Sequence, residues 1–182
     1  MKNFFLFILE ISKIVVIALL VVLPIRYFVF QPFYVKGASM EPNFSDGDYL
    51  IIDEITYRFK APERGEVIVF RYPNDPSQRY IKRIIGLPGE TVEIEGGKVK
   101  IYNGEEKGSV LQELAYLPDS ILTVGNVKET LNENEYFVLG DNRMASADSR
   151  GWGLLPRENI IGKALIRAWP PTAFAAIVTP AY

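Results

Sequence analysis

The chain contains neither cysteine nor histidine among its 182 residues. Without cysteine there is no disulfide framework, no thiol nucleophile and no zinc–thiolate site. Without histidine there is no Ser-His-Asp triad, no imidazole base and no histidine-ligated metal. An excess of one charge is also missing: 20 Lys+Arg face 22 Asp+Glu, so there is no sign of the basic face a nucleic-acid binder carries. Disorder is excluded by a 23% charged fraction beside 11 Phe and 10 Tyr. The length suits one domain of ordinary size, or a smaller one with an appendage. Any hydrolase built on this chain must draw its base from Lys, Asp, Glu or Tyr.

What is present is unevenly spread. Ile14 to Ile25 is an uninterrupted apolar run of 12 residues. Ile11 to Phe30 gives about 20 residues, or roughly 30 Å of helix, which matches a hydrocarbon core. Lys13 and Arg26 sit near its ends, where long basic side chains reach the headgroups, and Tyr27, Phe28 and Phe30 would fall in an aromatic interface belt. A cleaved secretory leader fits poorly. No small-x-small site follows the apolar core; Pro24, Arg26 and a bulky aromatic run come instead. The expectation is a short cytoplasmic amino terminus over 1–10, a transmembrane signal-anchor helix over 11–30, and an extracytoplasmic domain over 31–182. The charge split agrees: residues 1–36 carry four positive and one negative side chain, leaving 16 and 21 on the remainder.

Beyond Tyr49 the texture is short β-branched and aromatic stretches broken by Gly, Pro, Asn and Asp, so the body is expected to be mainly antiparallel β. Strands are expected at Tyr49–Thr56, Glu66–Tyr72, Tyr80–Gly86, Thr91–Glu95, Lys98–Tyr102, Glu135–Leu139 and Gly162–Ala168. Gly96-Gly97 between alternating Val92, Ile94, Val99 and Ile101 marks a two-residue hairpin turn. A helical turn is conceivable near Pro156–Asn159. Gly104–Leu131 is undecided, and the apolar Ala173–Ala181 is too short to span a bilayer.

Three segments could carry chemistry: Gly37-Ala38-Ser39-Met40-Glu41-Pro42, Tyr80 to Gly89, and Gly140-Asp141-Asn142-Arg143 with Ser146, Asp148, Ser149 and Arg150. Taken singly each is ordinary: a turn serine, a solvated strand lysine, a tight turn with an ion pair. Either Lys82 or its neighbour Arg83, on opposite strand faces, could be the solvated one. In combination they suggest a nucleophile and base. With His and Cys absent, a serine nucleophile needs a lysine whose pKa falls from about 10.4 through burial among apolar groups. Lys82 shares a face with Tyr80 and Ile84. No Ser-x-x-Lys tetrapeptide occurs, which removes the β-lactamase arrangement.

The order of these boxes is specific. The apolar anchor is followed by Arg26-Tyr27-Phe28-Val29-Phe30-Gln31-Pro32-Phe33, then Ser39-Met40-x-Pro42, then Gly47-Asp48 before a strand. Tyr80-Ile81-Lys82-Arg83-x-Ile85-Gly86-Leu87-Pro88-Gly89 and Gly140-Asp141-Asn142-Arg143-x-x-Ser146-x-Asp148-Ser149-Arg150 complete the series. Together they resemble bacterial type I signal peptidase (leader peptidase), in its compact single-anchor form, from about Glu10 to Trp169.

The resemblance implies a membrane-bound serine endopeptidase that removes signal peptides from exported preproteins, with its catalytic domain outside the plasma membrane. By motif match, Ser39 would be the nucleophile, Lys82 the general base, and Ser146 the group that orients the Lys82 amine. Asp148 and Arg150 would form the structural ion pair that holds the Ser146 loop. Phe33, Val35, Tyr80 and Ile81 would line small pockets selecting Ala-x-Ala before the cut, with the substrate extended along strand edges. The Ser39 backbone N–H would serve the oxyanion hole. Some members place a hydroxyl residue two positions before the nucleophile; this chain has Gly37, which calls for a second donor from backbone or water. The implied partners are signal peptides and the lipid bilayer, with no nucleic acid and no cofactor or metal. A peptidase for one dedicated substrate, or a non-catalytic signal-peptide-binding domain, are the alternatives.

Overall fold

The computed structural model describes residues 2–28, 30–104 and 108–181, with side chains of 2, 3, 5 and 21–30 outside the description. Helix α1 spans Lys2–Phe28. Every described side chain from Leu6 to Leu20 on it is exposed. Among the described residues, no helix is long and apolar enough to cross a membrane. The second half of the expected span, and with it Tyr27, Phe28 and Phe30, has side chains outside those described.

The body consists of antiparallel sheets, as the alternating texture requires. Its strands are β1 (Phe30–Tyr34), β2 (Tyr49–Asp53), β3 (Val67–Tyr72), β4 (Asp75–Gly86), β5 (Thr91–Glu95), β6 (Lys98–Tyr102), β7 (Ser109–Val110), β8 (Val127–Thr130), β9 (Glu135–Leu139), β10 (Leu155–Pro156), β11 (Ile160–Trp169) and β12 (Ala175–Ala176). The larger sheet runs β1-β2-β11-β3-β4-β9-β10, with β12 pairing β11; the smaller runs β7-β6-β5-β8. Strand β11 therefore lies between β2 and β3, although more than a hundred residues separate it from β2 in sequence.

The strands expected at Thr91–Glu95, Lys98–Tyr102 and Glu135–Leu139 form with those bounds. The Gly96-Gly97 turn closes the β5–β6 hairpin with Glu95 opposite Lys98, both glycines at positive φ (58° and 79°). Strand β4 begins five residues earlier than expected, and β11 is longer at both ends. The turn near Pro156–Asn159 is a 3₁₀ turn over Arg157–Asn159. Strand β1 and the one-turn helix α2 (Ser149–Trp152) were not anticipated from the sequence. Among the described residues, the undecided Gly104–Leu131 stretch holds two strands, the short β7 and the whole of β8. The carboxy-terminal Ala175–Ala176 pairs with Ile166 and Arg167 of β11, so that segment packs on the sheet.

Strand β4 explains the depth of the site. Ile81 to Gly86 are all buried, on both faces. One face joins Ile81 to Val67, Val69, Leu50, Ile52, Val35, Met40 and Phe44. The other joins Ile84 to Ile68, Phe70, Val138 and Leu155. Beyond Ile84 the smaller sheet closes over the end of the strand, and Ile85, Phe137 and Leu139 pack with Val92, Ile94, Val99 and Ile101. Gly86 permits that approach, because a Cβ there would stand 2.4 Å from Val92 Cγ2. A lysine and an arginine in the middle of β4 are thus forced into low-dielectric surroundings and need compensation.

Candidate active site

Ser39 lies in the loop between β1 and β2, half-buried, and the next side chain, Met40, is fully buried in the core on the Ile81 face. Met40 fixes the loop, and Ser39 is held over the middle of β4. Lys82 is only 4% exposed, and its Nζ lies 2.8 Å from Ser39 Oγ and donates to the Ile81 carbonyl at 2.8 Å. Its Nζ also stands 5.5 Å above the Tyr80 ring. Burial pushes the Lys82 amine from 10.5 down to about 8, while the Asp148 and Asp141 carboxylates pull it partly back. An amine with that value is neutral in a useful fraction of molecules near neutral pH and can accept the Ser39 proton.

The loop after β9 completes the arrangement. Leu139 pairs with Arg83, so the end of β9 delivers Gly140 and Asp141 beside the middle of β4. Asp141 accepts from Arg83 Nε at 2.8 Å and Nη2 at 2.6 Å, and from Asn43 Nδ2 at 2.8 Å. Asn142 holds the Ser39 loop directly, its N–H donating to the Ser39 carbonyl at 3.1 Å and its Nδ2 to the Ala38 carbonyl at 3.0 Å. Asp148 caps α2 and takes Arg150 Nε and Nη2, each at 2.8 Å; it also accepts from the Gly140 N–H at 3.1 Å. One carboxylate therefore ties together both ends of the 140–150 loop. Gly140 is sandwiched: a Cβ there would lie 2.2 Å from Ser146 Oγ and 2.3 Å from the Ser39 carbonyl oxygen. Among the described residues no cluster of three or more acidic side chains is placed to hold a metal ion.

Residues 8–169 match the family model described as signal peptidase, peptidase S26. The chain belongs to that family. It is 40% identical over 168 residues to the probable signal peptidase I-2 of Synechocystis sp., covering 89% of this chain and 73% of the relative. It is 38% identical to the signal peptidase I of Leptolyngbya laminosa, covering 92% of this chain and 83% of the relative. Identity to the signal peptidase IB of Staphylococcus aureus is 32%, over 88% of each chain. A crystal structure of a signal peptidase I from Enterococcus faecalis aligns at 34% identity and a TM-score of 0.47, over 57% of this chain and 97% of that one.

Within this S26 peptidase fold the expected site residues are not all placed alike. Ser39 and Lys82 meet. Asp148 and Arg150 pair as the motif match implied. Val35 and Ile81 are buried in one cluster with Phe33 packed against it. Tyr80 points to the opposite face, stacked on Tyr72 at 4.7 Å between ring centres. Ser146 stands close to Ser39 across Gly140, but among the described residues its buried Oγ has no hydrogen-bond partner, and the amine bonds to Ser39 and the Ile81 carbonyl. Gly37 adopts φ +82° and its N–H donates to Asp46 at 2.6 Å. Arg83 is as buried as Lys82, so neither neighbour is the solvated one; Asp141, far along the chain, neutralises it. Asn142 and Gly140 were not singled out as site residues, although both lie inside the Gly-Asp-Asn-Arg box.

Proposed function

We propose that this chain is a membrane-anchored serine endopeptidase that removes signal peptides from exported preproteins, using Ser39 and Lys82 as a dyad. The observation that carries the reading is the 2.8 Å approach of Ser39 Oγ to a buried lysine whose pKa has fallen to about 8. Family membership supplies the reaction class, and the relatives' names supply the substrate class.

The chemistry follows from the positions. Neutral Lys82 accepts the Ser39 hydroxyl proton as Oγ attacks the scissile carbonyl. The Ser39 N–H donates to the developing oxyanion, and water or a backbone N–H supplies the second donor that Gly37 lacks in its side chain. The Lys82 ammonium returns the proton to the departing amine, leaving an acyl-enzyme. Lys82 then takes a proton from water, whose oxygen attacks the ester and frees Ser39. Ser146, poised across Gly140, swings its hydroxyl to the amine in the substrate complex. Phe33, Val35 and Ile81 would line the pockets for the residues before the cut, and their packing in one apolar cluster supports a preference for small side chains such as Ala-x-Ala.

Anchoring by α1 is supported by its apolar sequence and by the exposure, among the described residues, of its apolar side chains between Leu6 and Leu20. The catalytic domain would then work at the outer face of the plasma membrane. The test is cleavage of a radiolabelled Ala-x-Ala preprotein by the detergent-solubilised chain beside Ser39→Ala and Lys82→Met. The parent should cut after the small residue, and each variant should lose activity on the order of 10³-fold or more. Equal cutting by a folded Lys82→Met protein would sink the dyad.

A further inference from the structure

The connection between β7 and β8 lies outside the motif boxes, yet it reaches all three segments of the proposed site. It is mounted on the smaller sheet at both ends. The Leu111 N–H donates to the Val99 carbonyl at 2.9 Å, and the Thr123 N–H to the Gly97 carbonyl at 3.0 Å. Between them a turn closes on the Glu113 carbonyl, which accepts from the Tyr116 and Leu117 N–H groups at 3.0 and 2.8 Å. The turn brings Glu113 and Tyr116 together, and the Tyr116 hydroxyl donates to Glu113 Oε1 at 2.5 Å.

Glu113 grips the loop after β9. Its carboxylate takes Arg143 Nη1 at 2.9 Å and Nη2 at 2.5 Å. Arg143, whose side chain is wholly buried, donates from Nε to the Gly140 carbonyl at 3.1 Å, and Thr123 accepts from it as well. Tyr116 reaches the other two segments. Its ring lies 4.1 Å from the guanidinium of Arg83, the neighbour of Lys82 in β4. Its carbonyl accepts from Asn43 Nδ2 at 2.8 Å, and the same nitrogen donates to Asp141. Asn43 stands four residues after Ser39, in the loop that carries it.

We propose that Glu113 and Tyr116 are positioning residues, which set Ser39 against Lys82 from the smaller sheet without touching substrate. The inference rests on the peptidase reading above. A guanidinium cannot shed its proton. Without Glu113, buried Arg143 must turn to another anion, and the other carboxylate acting on it is Asp141. Asp141 already holds Arg83 and Asn43, and its neighbour Asn142 holds the Ser39 carbonyl. Drawing Asp141 away therefore moves the Ser39 loop relative to β4. A shift of about 1 Å in such a pair costs on the order of 100-fold in rate.

The experiment measures the single-turnover acylation rate constant of the solubilised full chain on an Ala-x-Ala peptide, with enzyme in saturating excess. That constant counts folded molecules alone, so a contact that merely stabilises the fold leaves it unchanged. Glu113→Gln should lower it about 100-fold with KM unchanged. Glu113→Asp keeps the charge and should recover part of the loss; it is read in place of Glu113→Gln should that variant not fold. Tyr116→Phe removes one hydroxyl, keeps the ring and the carbonyl, and should lower the constant several-fold. Leu114→Ala, exposed on the same turn, should match the parent. A parental rate constant in a folded Glu113 or Tyr116 variant would overturn the role of that residue. So would a raised KM with an unchanged rate constant, which marks a substrate contact. A folded parent that cuts no peptide would instead refute the peptidase reading, and the positioning role with it.

Discussion

Removing the buried lysine of β4 should make the protein more stable at neutral pH. Lys82 is buried, and its amine is shifted from 10.5 to about 8. Between those values the unfolded chain binds more protons than the folded one, so stability rises with pH across that window. Below pH 8 the fold bears the full cost of a desolvated ammonium, about 3 kcal/mol at 1.36 kcal/mol per pKa unit. By pH 10 the same linkage leaves about 1 kcal/mol. Methionine has similar reach and no charge, so Lys82→Met should recover most of that cost at pH 7. The loss of two hydrogen bonds, to Ser39 Oγ and the Ile81 carbonyl, offsets part of it, at about 1 kcal/mol each. The expected net gain is about 1–3 kcal/mol at pH 7, and the difference from the parent should move against the variant by about 2 kcal/mol by pH 10. Denaturant unfolding of the solubilised chain, followed by the fluorescence of Trp152 and Trp169, reads this at both pH values. A parent as stable as the variant at pH 7, or a difference that does not change with pH, would refute the assignment of a buried amine with a depressed pKa.

Three further outcomes follow from the same geometry. The kcat/KM of the parent should rise with pH along a single ionisation near 8, since that profile reports the free enzyme's base. Asp148→Asn should move that ionisation to lower pH, because the carboxylate it removes holds the Lys82 value up, and should lower stability by about 3 kcal/mol by leaving Arg150 without its partner. Gly140→Ala should leave a folded protein with kcat reduced about 100-fold or more, because the added methyl forces Ser39 and Ser146 apart; a Gly140→Ala enzyme of parental activity would contradict the packing at Gly140.

How far the sequence revealed this arrangement depended on the range of the forces involved. The β5–β6 hairpin was legible to the residue because a two-glycine turn and strict alternation are local signals. The Ser39–Lys82 pair was legible because the absence of His and Cys leaves few bases, and because motif spacing carries the rest. Arg83 was not legible. A strand arginine reads as solvated until its partner is known, and Asp141 is 58 residues away. Strand β1 was hidden because Phe30–Tyr34 continues an apolar run and contains Pro32, which sits on the sheet edge where a missing N–H costs little. Helix α2, at four residues, is shorter than any helical period can betray; only Asp148 as its cap announces it. Among the described residues the Ser146 hydroxyl makes no hydrogen bond to Lys82, although the loop that carries it lies against Gly140 and Ser39.

The position of β11 has a consequence for the life of the newly made chain. Ser39 arrives with β1 and β2, Lys82 with β3 and β4, and in the finished sheet these two pairs are not neighbours but are stitched together by β11. Until Ile160–Trp169 is in place, the strand pairs that carry Ser39 and Lys82 have no shared strand to join them into one sheet. On the proposed dyad, a chain cut short before Ile160 should be inactive, because the strand that joins the two pairs is missing.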